Sequence, residues 1–244
     1  MPTMVRAGRT FLGISMIVVG ALGLVYGDFI MEWTRTPDFL PAWKGWFYLH
    51  GIVLIIAGLG LFFQKTARLA ALVLGIVWLL WTLACIPRVL AYGRPALGGN
   101  FEDLALASGL FLLAGLLAPP KENQMQVLIP RYAFAICLPV FGFVHFSYPH
   151  AVADFIQPWM PARLFWAYFT GTAFFAAGLA MLTGVRARLA SRLFAIMLST
   201  WVLILHIPRV AVALHDRHEW TTLFIAIAMM GGAWTLAASF ARER

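Results

Sequence analysis

The chain has 244 residues, of which 62% are hydrophobic and 11% charged, with mean hydropathy +0.84; an ordinary soluble domain carries about 25% charged residues. That leaves too little polar surface for water and excludes a soluble globular protein. The net charge of +8 raises nucleic acid as a partner, but the basic residues gather at helix ends rather than in one patch, which marks membrane orientation and excludes that partner.

A bilayer core about 30 Å thick needs about 20 apolar residues per helix, and such stretches recur along the chain. In chain order they predict eight transmembrane helices: Thr10 to Ile30, Gly45 to Phe63, Ala67 to Ile86, Glu102 to Ala118, Arg131 to Tyr148, Pro161 to Thr183, Arg188 to Ile207 and Trp220 to Phe240. The breaks between them carry turn residues: Pro37 and Pro41, Gln64 with Lys65, Gly93 to Asn100, Pro119 with Pro120, Pro158 and Pro161, Gly184, and His215 to Glu219. Each break is short, so neighbouring helices run antiparallel.

One set of helix ends holds Arg6, Arg9, Lys65, Arg68, Lys121, Arg131, Arg186, Arg188, Arg192, Arg242 and Arg244, the larger share of the 18 basic residues. By the positive-inside rule both termini are expected in the cytoplasm, in a membrane of the bacterial cytoplasmic type. Of the acids only Glu122 and Glu243 share that side. Arg6 and Arg9 before an apolar run also suit a signal peptide, but no small-x-small cleavage site follows before Asp28.

At an offset of 120 the chain matches itself. Pro41, Ala42, Trp46, Tyr48, Gly51, Ala57, Gly58 and Leu59 align with Pro161, Ala162, Trp166, Tyr168, Gly171, Ala177, Gly178 and Leu179. Ala67 to Ala70 then match Ala187 to Ala190, Trp81 matches Trp201, and after a one-residue slip Ile86-Pro87-Arg88-Val89 matches Ile207-Pro208-Arg209-Val210. The expected fold is all-α: two parallel-oriented four-helix bundle units, 1–120 and 121–244, related by an axis along the membrane normal.

In the second unit, Phe141-Gly142-Phe143-Val144-His145, Pro158-Trp159-Met160-Pro161, Phe165-Trp166-Ala167-Tyr168-Phe169-Thr170-Gly171 and His206-Ile207-Pro208-Arg209 resemble the DoxX-like membrane proteins. The first unit is similar more weakly, with Phe101-Glu102-Asp103-Leu104-Ala105-Leu106-Ala107. The resemblance spans nearly the whole chain and implies a four-helix membrane unit, in a family named after a subunit of thiosulfate oxidation that passes electrons to quinone. It transfers no catalytic residue.

All six histidines, His50, His145, His150, His206, His215 and His218, fall in one half of the predicted bilayer or in its loops. His145 and His206 sit at similar depth on helices five and seven, so they can meet inside one bundle and bind a ligand, and more weakly a metal or haem; their counterparts in the first unit are Tyr26 and Cys85. The competing reading is a wet interfacial imidazole. Arg88 and Arg209 recur after equivalent prolines. Each guanidinium either pairs with a nearby acid, Glu102 or Asp103 for Arg88 and Asp216 or Glu219 for Arg209, or binds an anionic or quinone-carbonyl group, or snorkels. Trp33, Trp43, Trp46, Trp159, Trp166 and Trp220 with Tyr48 and Tyr168 read first as an aromatic belt, although Trp166 and Tyr168 also suit a quinone cleft. Gly51 with Gly58, Gly171 with Gly178, and Gly231 with Gly232 mark close helix contacts. Cys85 and Cys137 lie at different depths and predict no disulfide.

The leading expectation is a redox-associated membrane subunit that handles quinone or anchors a partner oxidoreductase in the lipid bilayer. Alternatives are a small-solute transporter, for which charged helix centres are expected, and a non-catalytic scaffold or assembly factor. No hydrolytic or nucleotide-binding motif is present.

Overall fold

The computed structural model describes residues 3–30, 45–119 and 124–241. Trp33, Pro37, Pro41, Ala42, Trp43, Pro120, Lys121, Glu122, Arg242, Glu243 and Arg244, all of which carry part of the sequence pattern, lie outside the described residues. Every regular element among the described residues is helical.

The helices are α1 (Thr3–Tyr26), α2 (Gly45–Gly60), α3 (Ala67–Ala84), α4 (Ile86–Tyr92), α5 (Arg94–Leu117), α6 (Gln124–Ser147), α7 (Pro149–Phe155), α8 (Arg163–Thr183), α9 (Ala187–Trp201), α10 (Ile207–Val212) and α11 (Arg217–Ala241). A π-helical turn, Val202–His206, joins α9 to α10. Among the described residues seven helical segments are long and apolar enough to cross a bilayer: α1, α3 with α4, α5, α6, α8, α9 through α10, and α11; α2 is a shorter apolar helix. The chain is therefore a polytopic integral membrane protein whose helices face lipid.

Three helices, α1, α5 and α6, start about two turns earlier than their sequence signals predict. Gly93 takes a left-handed φ of +64° as the N-cap of α5, and Pro95 fixes φ in its first turn, so one glycine makes the whole break and 94–100 is helical. In α6, Pro130 and Pro139 lie inside the helix. Pro130 cannot donate to Gln126 O, and Gly115 of α5 lies directly over that carbonyl, where a side chain would collide. Partner helices thus shield the backbone groups that proline frees.

α5 and α11 form the centre and are buried nearly all round. A Cβ on Gly109 of α5 would lie 3.0 Å from Gly232 Cα of α11, so two glycines set their closest approach. α1 packs on α2 and α11, α6 on α8 and α5, α3 on α5, and α9 on α11. The end of α11 is capped from outside: Arg131, 3% exposed, donates from Nε to Ser239 Oγ (3.1 Å) and from Nη2 to Ser239 O (2.9 Å), and Arg188 Nε donates to Phe240 O (3.1 Å). These cations satisfy carbonyls that a helix C-terminus leaves open and complement its dipole.

Candidate functional site

The end of the bundle opposite those arginines holds the histidines. There α5, α6, α7, α8, the α9–π–α10 rod and α11 enclose a cavity of about 470 Å³. Most of its wall is hydrocarbon or aromatic, including Phe141, Phe174, Leu205, Ile225 and Met229; its polar side chains are Glu102, Tyr148, Thr170, Trp201, His145 and His206. The two histidines that the sequence places at one depth therefore do line one space.

His145 is held by its own helix. Its Nδ1 lies 2.8 Å from Phe141 O, and a carbonyl only accepts, so Nδ1 carries the proton and Nε2 keeps a lone pair. Its ring packs on Phe174 at 5.2 Å. Gly171 makes room for it: a Cβ there would lie 2.9 Å from His145 Cβ.

His206 ends the π turn. A π turn places one extra residue in a helical turn and rotates the residues beyond it about the helix axis; Pro208, two residues on, removes a donor next to it. His206 Nδ1 and Trp201 Nε1 are both buried with no hydrogen-bond partner among the described residues. Sequence reasoning misses Trp201 and the acid Glu102 as site residues. It marks Trp201 only as the repeat partner of Trp81, and an indole on an apolar helix gives no local signal of facing a cavity.

Arg209 does not face the cavity. It donates from Nε to Glu219 Oε2 at 2.8 Å and from Nη2 to Glu219 Oε1 at 2.5 Å, and from Nη1 to Phe155 O at 3.2 Å. Its guanidinium also lies 4.9 Å over the Phe155 ring. One side chain thus ties α10 to α11 and to α7, and Phe155 is part of the cavity wall. Arg88 lies outside the cavity, its guanidinium 5.4 Å from the Tyr92 ring centroid.

Trp166 and Tyr168 do not line the cavity. Trp166 Nε1 donates to Pro161 O (3.2 Å) and its ring meets Trp201 edge-on at 6.1 Å, so it backs a wall residue. Tyr168 is exposed and packs on Phe146. Trp220 Nε1 donates to Leu214 O (2.9 Å), so Trp166 and Trp220 both anchor loop backbone as belt residues do.

The first half of the chain has a different arrangement at the same end. Trp81 Nε1 donates to His50 Nε2 (3.1 Å), and Phe29 packs edge-on against both rings. Cys85, the counterpart of His206, is a free thiol buried in that aromatic cluster, and Cys137 is also free. Tyr26, the counterpart of His145, lies under the Arg217 guanidinium, which pairs with Asp28 at 2.8 Å. Asp103 is 4% exposed on α5, and its Oδ2 has no partner among the described residues. The sequence pattern suggests it only as a partner for Arg88.

No group of three or more His, Cys, Asp or Glu among the described residues is placed to hold a metal ion. No protein-family model matches the chain, and no curated protein or solved structure matches it either.

Proposed function

We propose that this protein is a redox-associated membrane subunit whose histidine-lined cavity takes the head ring of a quinone, with electrons exchanged through a partner oxidoreductase. The observation that carries the reading is one apolar cavity holding both kinds of polar group such a ring needs. An oxidised quinone offers two carbonyl acceptors, and the unpartnered Trp201 N–H suits one of them. A reduced quinol offers two hydroxyl donors, and the His145 Nε2 lone pair suits one of those. His206, with either ring nitrogen able to carry the proton, serves both states. Aromatic walls favour a flat ring.

The DoxX-like resemblance belongs to the same proposal, and so do eight spans in two parallel four-helix units with both termini in the cytoplasm. The packing supports it. Under the duplication α1, α2, α3 with α4, and α5 correspond to α6, α8, α9 through α10, and α11. Each pairing in one half then has its counterpart: α1 with α2 and α6 with α8, α3 with α5 and α9 with α11, α5 with α6 and α11 with α1. The one-residue slip in the repeat falls between Trp201 and Ile207, where the π turn lies, and one inserted residue in a helix is what a π turn accommodates.

Detergent-purified protein extracted with organic solvent and analysed by mass spectrometry tests the ligand. Bound quinone near one per chain is the expected result. Absence of quinone, together with no thermal stabilisation by added quinone, overturns the reading.

A further inference from the structure

A second cavity, about 540 Å³, runs between α1 and the α9–π–α10 rod with α11 as its floor. Ala7, Phe11 and Ile14 form one wall, Val202 and Leu203 the other, and Met230 lies beneath. The Ser199 hydroxyl is engaged: it donates to Ala195 O (2.7 Å) and accepts from Trp234 Nε1 (3.1 Å). The middle of the groove thus offers hydrocarbon to its occupant, and the exposed Ile14, Leu203 and Ile207 leave it open to the side.

Length and charge identify the occupant. From Thr3 to Ile14 the α1 wall covers about 16 Å at 1.5 Å per residue, close to half of a hydrocarbon core roughly 30 Å thick. That is the reach of one leaflet. Arg192 lies two turns before Ser199 on the same face of α9; it is exposed, with no ion pair among the described residues. Gly8 meets Thr235 and Arg188 meets Phe240 O on α11, so Arg192 lies at the depth of the first turn of α1. The positive end of the α1 dipole adds to its charge.

We infer that this groove is a binding site for an anionic phospholipid, with one acyl chain along α1 and the phosphate between Arg192 and the start of α1. The pairing is the one expected where basic residues meet an apolar interhelical groove. It is independent of what the histidine cavity binds.

Protein reconstituted in nanodiscs of phosphatidylcholine and phosphatidylglycerol, then released into native mass spectrometry, tests it. The wild type is expected to retain one phosphatidylglycerol with about fivefold preference over phosphatidylcholine. Arg192→Gln removes the preference while leaving the lipid count. Ala7→Phe, which fills the groove, removes retained lipid of both kinds. Arg6→Gln, more than a quarter turn round α1 from the groove stripe, leaves the preference intact. Equal retention of the two lipids by wild type, or equal loss of preference in the Arg6 and Arg192 variants, overturns the inference. So does a wild-type dimer in pure phosphatidylcholine that Ala7→Phe dissociates, because a second copy would then cover the groove.

Discussion

Both carboxylate oxygens of Glu219 are held by one side chain, Arg209, at 2.8 and 2.5 Å, across the joint between α10 and α11. The side chains are only 21% and 12% exposed. A two-pronged ion pair sheltered to this degree fixes the geometry of the helices that frame the histidine cavity.

Removing one partner strands the other charge. Arg209→Ala or Glu219→Ala is expected to cost about 3 kcal/mol, read as a fall in thermal midpoint in detergent. Arg209→Lys recovers only part, since an ammonium cannot form the fork. A double variant that costs the sum of the two singles would show that the pair is not coupled.

Arg131 caps α11 from the other end of the bundle. Arg131→Met keeps the bulk but leaves Ser239 O without its donor, with an expected cost of about 1–3 kcal/mol. Ser239→Ala loses two hydroxyl hydrogen bonds, one accepted from Arg131 Nε and one donated to Leu236 O, but keeps Ser239 O paired with Arg131 Nη2, and should cost less. Thermal unfolding of both variants checks the order.

The Gly109–Gly232 crossing has no room for a side chain. Gly109→Ala is expected to destabilise by about 1–3 kcal/mol, because the neighbour is backbone and has to move. Gly98→Ala, on the same helix with its nearest neighbour 3.8 Å away, should be close to neutral. Equal costs would contradict the packing.

Asp103 carries a buried carboxyl oxygen without a partner among the described residues, a cost to the fold with no structural return. Asp103→Leu should therefore match or exceed wild-type stability, read as the thermal midpoint in detergent. A lower midpoint would give Asp103 a structural role.

Most of the helix pattern is legible in the sequence because lipid demands long apolar runs and proline or glycine interrupts them. The ends are less so: the pattern breaks at Pro119 with Pro120 and starts the next helix at Arg131, yet α6 starts at Gln124 and runs through Pro130 because neighbours shield the freed carbonyl. That His145 and His206 line one cavity is readable from depth alone. Trp201 is not, since it faces the cavity next to the π turn, and a π turn leaves no periodic mark in an apolar sequence. Arg209 carries the same residue type as an anion-binding site, and only the position of Glu219 distinguishes a clamp from a ligand contact.

The most direct test is a quinone titration of wild type, Trp201→Phe and His206→Ala, followed by thermal shift and by bound quinone after extraction. Binding by the wild type, weakened about tenfold by either change, corresponds to the loss of one hydrogen bond of about 1.4 kcal/mol, and an Arg88→Gln control should bind as the wild type does. Quinone that binds all four proteins alike, or none of them, contradicts a quinone site in this cavity.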